Sequence, residues 1–244
     1  MKHSSITPIK LNLVYTIGGV AAIAAVLVGI AEIAITYLPG GYTTQESVLD
    51  WFNLYQQNPF MGLRNLGLLN IFFNICAIMI YFALNEVHKE TPYRPYAKFA
   101  MLIALLGIGV FFATNRAFAM LDLSNQYAAA STEAQQSILL SAGQAMLAVG
   151  QSHTPGTFLS FFLAEVAGIL ISLVMLRSGV FSKITAYLGI LGFSMLLIFE
   201  YSSTFLSGLG TTAMILAMIG GPLSMAFNIL VAVRLFRIAK KGKA

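Results

Sequence analysis

Three glutamates and two arginines, Glu32, Glu165, Glu200, Arg64 and Arg116, interrupt stretches that are otherwise apolar. A charge in hydrocarbon costs about 2.5–3.5 kcal/mol even on a lenient insertion scale, so such residues pair, line a wet cavity or do a job. Carboxylates in different environments can divide the roles of acid and base, and Glu165 with Glu200 is the pair to which that chemistry would fall. Asn70, Asn74 and Tyr81 lie along one helical stripe. Asparagines in apolar helices seek partners on other helices, and a ligand is the alternative partner. Together Glu32, Arg64, Asn70, Asn74, Arg116, Glu165 and Glu200 make up the candidate ligand-binding or buried polar network.

Charge counting adds an expectation. If the five charges meet, three carboxylates face two arginines, and one lacks a cation. Desolvation and a like charge nearby both favour its neutral form. Glu165 is the first candidate, because it lies about 15 Å below Pro155 at 1.5 Å per residue, close to the midplane. Arg116 has two options: its long stem can snorkel to the headgroups, or it can pair with a carboxylate of a neighbouring span. Glu32 shares a helix face with Gly18, Ala22, Ala25 and Gly29. Small residues let helices approach closely, so this face, and Glu32 with it, points into the bundle.

Other chemistries leave no trace. There is no HExxH, no paired-histidine metal pattern, no GxSxG and no P-loop. Nothing calls for a metal or a cofactor. His3 and His88 fall on one side of the membrane and His153 on the other, and His153 reads as an ordinary loop residue beside Thr154-Pro155. A single cysteine, Cys76, offers no disulfide framework. The net charge of +5 is spread over short loops and both ends, which marks topology and not a nucleic-acid surface.

The elements that must position these residues are membrane spans. The 244 residues are 58% hydrophobic and 9% charged, where a soluble domain carries about 25% charged residues. The mean hydropathy is +0.80. This predicts an all-α class, a polytopic membrane helix bundle forming one domain over 1–244. Six stretches meet the length of about 20 residues needed to cross: 13–38, 63–84, 97–120, 155–176, 184–206 and 211–236. The first is too long for a signal-peptide core of about 7–15 residues, holds Glu32, and runs into Pro39-Gly40-Gly41 in place of a cleavage site. It reads as an uncleaved span.

Lysine and arginine set the orientation. Lys2 and Lys10 precede the first span; Lys89, Arg94 and Lys98 lie in the second loop; Arg177 and Lys183 lie in the fourth; Arg234, Arg237, Lys240, Lys241 and Lys243 close the chain. With six spans these all share one side, which puts both termini in the cytoplasm and the five intramembrane charges in the far half. Two far-side loops carry short amphipathic helices. Thr43 and Glu46 have capping-box spacing, and Val48, Trp51, Phe52 and Tyr55 form an apolar face that would lie on the outer membrane surface. Residues 132–151 are helix-prone, with Leu139, Ala142, Met146 and Val149 as the apolar face, and would fold over the mouth of the bundle. Gly220-Gly221-Pro222 predicts a kink in the sixth span. Two inverted three-span halves would be a transporter arrangement, but the near half carries no matching charges.

The stretch Met175-Leu-Arg-Ser-Gly-Val-Phe-Ser-Lys-Ile-Thr-Ala-Tyr-Leu-Gly-Ile190 leaves one span through Arg-Ser-Gly and begins the next at Leu-Gly after a basic turn. It resembles a bacterial and archaeal membrane family catalogued as domain of unknown function 4386. The six-span layout is compatible with that family over most of the chain. The resemblance implies a prokaryotic cytoplasmic-membrane protein and supplies no activity.

Three functions fit the sequence. The first is a binding, sensing or accessory component with an outward-facing polar pocket for a small-molecule ligand from the extracytoplasmic side, with membrane lipid as its other partner. The second is a proton-coupled small-molecule transporter using Glu165. The third is an intramembrane acid/base enzyme using Glu165 and Glu200 on a lipid or envelope precursor.

Overall fold

The computed structural model describes residues 8–37 and 45–241. Ten helices follow one another, with no strand among the described residues: α1 Pro8–Tyr37, α2 Val48–Gln57, α3 Pro59–Asn65, α4 Leu68–Val87, α5 Arg94–Thr114, α6 Ala117–Ala129, α7 Glu133–Gly150, α8 Pro155–Ser178, α9 Lys183–Phe205 and α10 Gly210–Lys241. Six stretches are long and apolar enough to cross a membrane: α1, α4, α5 with α6, α7 with α8, α9 and α10. Their outward faces carry large apolar side chains such as Leu13, Leu27, Phe72, Phe82, Leu106 and Leu191, as the bilayer requires of its solvated surfaces.

The spans form a ring in chain order. Each packs on the next, and α10 returns to α1, which closes the ring. Neighbours run antiparallel. Gly18 of α1 abuts Leu235 of α10, while Gly29, three turns on, abuts Met225. A Cβ at Gly18 would strike Ala83 of α4 and crowd Leu235, and one at Gly29 would strike Met225, so the small-residue face lets α1 approach both α4 and α10. The shared core lies toward the end where α1 begins and α10 ends, here called the basic end. Leu84, Ile171, Met175, Phe181, Val231 and Leu235 are almost wholly enclosed there. Buried His88 closes this end: Nδ1 lies 2.7 Å from the Leu84 carbonyl, Nε2 lies 3.1 Å from Ser178 Oγ, and the ring stacks on Phe181.

At the opposite end α2, α3, α6 and α7 build a cap. Val48, Trp51, Phe52 and Tyr55 form the buried face of α2, as their spacing predicts. They do not lie on a membrane surface: they pack with Leu66, Ala117, Met120 and Leu147 in a second core, and Trp51 is only 5% exposed. Tyr55 Oη donates to the Ala117 carbonyl at 2.9 Å, and Ser124 Oγ donates to the Phe52 carbonyl at 3.0 Å. Thr43 lies outside the described residues. The capping box is made by Ser47 and Asp50, which have the same three-residue spacing. The Ser47 hydroxyl and backbone N–H both donate to Asp50 and hold its carboxyl below the usual carboxylate range. α7 also forms where expected; its fully buried residues are Gly143, Leu147 and Gly150, while Leu139, Ala142, Met146 and Val149 are half-buried and Met146 packs on the second core. Gly143 admits Val48 and Phe52, and Gly150 admits the Arg116 stem, so closeness of approach decides the face.

Two span boundaries differ from expectation. The second span begins at Leu68, not at 63, because Asn58-Pro59 starts a separate helix and Gly67 turns the chain at φ +93°. That left-handed conformation favours glycine. The third span breaks at Asn115-Arg116. Asn115 is extended there, its Nδ2 donates to the Leu66 carbonyl at 3.1 Å, and its Oδ1 accepts from Ala117 N–H at 3.2 Å. α10 continues as helix through Pro222.

Candidate functional site

Above the α1–α10 contact the spans separate around a vestibule of about 650 Å³. Val28, Glu32 and Thr36 of α1, Leu69 and Asn70 of α4, Phe199 of α9, and Met214 and Met218 of α10 are among its walls, with His153 at the rim. A second cavity, of about 100 Å³, lies deeper in the centre of the ring. Glu165, Asn74, Tyr81, Ser224 and Asn228 are its polar lining. That volume holds several waters, since one water needs about 10–15 Å³ measured this way. Phe73 and Leu196 line both spaces and form the partition between them. Ile80, Leu84, Ile171 and Phe227 line the inner cavity and belong to the buried core on its basic side.

The charges divide into two pairs and two singles. Arg64 sits on α3, not inside a span, and reaches down to Glu32: Nη2 lies 2.8 Å from Oε1 and 2.9 Å from the Glu32 carbonyl. Nη2 also donates to Thr36 Oγ1, and Nη1 donates to Asn65 Oδ1 at 3.0 Å. Glu32 Oε2 has no hydrogen-bond partner among the described residues. Glu200 is almost fully buried, and His153 Nδ1 lies 2.6 Å from its Oε2. Thr204 Oγ1 donates to Oε1 at 3.4 Å. His153 is no ordinary loop residue. Its backbone takes φ +58°, its ring stacks on Phe161 at 5.5 Å, and it meets Phe199 edge-on at 4.9 Å. A non-glycine residue in the left-handed region is uncommon, and contacts on three sides hold this one in place.

Glu165 is the carboxyl left over. Part of its surface faces the inner cavity, while Oε2 is buried with no hydrogen-bond partner among the described residues. Arg116 does not join the cluster. It sits at the α5–α6 break, and its Nη1 donates to the Ala113 carbonyl at 2.8 Å and the Asn115 carbonyl at 3.0 Å. The last carbonyls of a helix attract a cation, and the break supplies them. Glu200 pairs with His153 and is not among the residues that line the inner cavity with Glu165.

The amides play unequal parts. Asn70 lines the vestibule. Asn74 lines the inner cavity, and its Nδ2 donates back to the Asn70 carbonyl of its own helix at 2.8 Å, which is not a bridge between helices. Asn115 is an amide that does bridge, from the end of α5 to the end of α3. The residue that sequence reasoning passed over is His153. The signal for it was the surplus of carboxylates itself, because a buried acid wants a base and His153 stands at the mouth. No group of three or more metal-ligating side chains forms among the described residues. No family model, curated protein or solved structure matches the chain.

Proposed function

We propose that this is a multi-pass protein of a cytoplasmic membrane that binds a small ligand in a vestibule facing away from the cytoplasm, as a binding, sensing or accessory component. The observation that carries the reading is the 650 Å³ vestibule with Glu32, Asn70 and His153 in its wall. It stands above a second space whose basic side is a dry apolar core. A pocket that is open on one side and sealed on the other suits capture better than passage. The orientation follows from the lysines and arginines, twelve of fourteen of which fall at the basic end or in the segments beyond it. The likeness of 175–190 to the prokaryotic family named above agrees with this setting and adds no activity.

Transport is the second reading, and one observation favours it. Glu165 lies in a cavity directly beneath the vestibule, which is where a coupling carboxyl would sit. Cysteine labelling separates the two. Cys76 is the only native cysteine and is replaced by Ser first. Met214→Cys in the vestibule and Ser224→Cys in the inner cavity are then treated with a membrane-impermeant maleimide in proteoliposomes of known orientation. The binding reading expects Met214→Cys to react from the far side and Ser224→Cys to stay unlabelled from the basic side. Reaction of Ser224→Cys from the basic side would reverse the order of the two readings. A Met214→Cys that reacts from neither side would remove the vestibule as a site.

A further inference from the structure

The vestibule wall is asymmetric in charge. Glu32 and Arg64 form an ion pair, yet the glutamate side chain is 42% exposed and the arginine 6%. The acid is part of the wall and the base stands behind it. A carboxylate offers about four acceptor positions. Arg64 engages Oε1, and Oε2 is itself buried, with no hydrogen-bond partner among the described residues. Among the described residues no lysine or arginine lines the vestibule, and His153 at its rim is paired with Glu200. Pro222 does line it, and proline has no N–H, so the Met218 carbonyl on the same wall loses its donor four residues on. The polar wall thus joins the acceptors of Glu32 and this carbonyl with the amide of Asn70, the hydroxyl of Thr36 and the ring of His153.

The remaining wall is apolar and adaptable. Met214, Met218 and Met225 contribute flexible thioethers, and Phe73 and Phe199 contribute aromatic rings whose faces attract cations. The opening also has a direction. α1 and α10 touch at Gly29 and Met225, and the vestibule separates them above that level. The two lips, Ile33 and Met218, are 44% and 60% exposed. Both belong to stretches apolar enough to span the membrane, so the gap between them faces lipid.

We propose that the vestibule takes an amphipathic organic cation, an ammonium head on an apolar body, which enters from the bilayer between α1 and α10 and sets its head against Glu32. This rests on the reading of the vestibule as a binding site. The ammonium lies against the exposed side of Glu32, a small turn of the carboxyl brings the buried Oε2 to it while Arg64 keeps Oε1, and its apolar body lies along the methionines. An anion of the same shape meets the carboxylate and is rejected. An uncharged analogue keeps the apolar contacts and loses the head.

The test uses the full chain in nanodiscs and three probes of equal chain length: octylammonium, octanol and octanoate. Binding is read by calorimetric titration, and Ala217→Trp, which sets a large ring on the half-buried part of the vestibule wall and leaves the charges intact, reports the background uptake into lipid. Octylammonium should bind the parent at least about tenfold more tightly than either analogue, a ratio equal to about 1.4 kcal/mol. The preference should be lost in Ala217→Trp and in Glu32→Gln. If Glu32→Gln does not fold, the parent against Ala217→Trp still decides. Equal binding of all three probes, abolished by Ala217→Trp, would overturn the cationic ligand and leave the pocket standing. Identical uptake by parent and Ala217→Trp would overturn the proposal, and the maleimide labelling then says whether the pocket reading falls with it.

Discussion

Glu165 and His88 are both buried ionisable groups, and their surroundings give them opposite uses. Glu165 has an unpartnered oxygen beside a small cavity, with Arg64 and His153 already committed to Glu32 and Glu200. We expect it to hold its proton at neutral pH. Infrared spectra of the parent should then contain a protonated-carboxyl band that Glu165→Gln removes, and a spectrum unchanged by the substitution would rule this out. His88 is held neutral for a plainer reason: burial disfavours the charged ring and sets its pKa below the ordinary 6.5, and the Leu84 carbonyl offsets only part of this. The unfolded chain therefore takes up this proton first as the pH falls. The stabilisation is complete above about pH 6.5 and is lost as the pH drops through the folded value. Thermal midpoints measured from pH 7.5 to 5 should fall in the parent, and the fall should be shallower in His88→Asn. The charged residues themselves were visible in the sequence, since a glutamate in an apolar run stands out. The His153–Glu200 pair was not, because its members are 47 positions apart and no local spacing joins them.

Helices and their apolar faces were legible wherever a single helix decides the outcome. The buried face of α2 follows from spacing alone. What the sequence hid was how closely helices approach. The face of α7 turns because Gly143 and Gly150 admit neighbours, and the second span shortens because Gly67 reverses the chain above it. A capping box forms at Ser47 and Asp50, which share the three-residue spacing of Thr43 and Glu46 in the same loop. Close approach also predicts a cost. A Cβ on Gly189 of α9 would collide with Ser172 Oγ of α8 and the ring of Phe227 of α10, both within the core. Gly189→Leu should cost at least about 1–3 kcal/mol, the usual penalty of overpacking. A thermal unfolding series in detergent, with Gly109→Leu as the control at a site with open space, measures it.

At the scale of the whole molecule, the number of spans and their alternation were readable from hydropathy and basic loops. The closed ring and the four-helix cap were not, since both depend on contacts between segments far apart in the chain. The cap's position bears on access. α7 runs directly into α8, where Gly156 packs against the Ala148 and Val149 carbonyls, so the cap is braced on the ring. His153 is part of this same hinge-like junction and also the rim of the vestibule. Widening the junction with Gly156→Val should therefore disturb the rim more than the basic end. Protease nicking of the cap should rise while the His88 region keeps its hydrogen-exchange protection. Equal loosening at both ends would show that the cap and the ring are one cooperative unit.

Ring closure between α1 and α10 has a consequence for how the protein is made. During synthesis the first span enters the membrane with Gly19 and Gly29 facing whatever lies beside it, and their partners Phe236 and Met225 lie on α10, the sixth span. Until that span emerges, this part of the face meets lipid or another helix, while Gly18 already finds Ala83 of α4. Nascent chains halted before α10 should be cleared by quality-control proteases, and α10 supplied as a separate polypeptide should rescue them. The seam between α1 and α10 thus makes the sixth span a condition for holding the first in place.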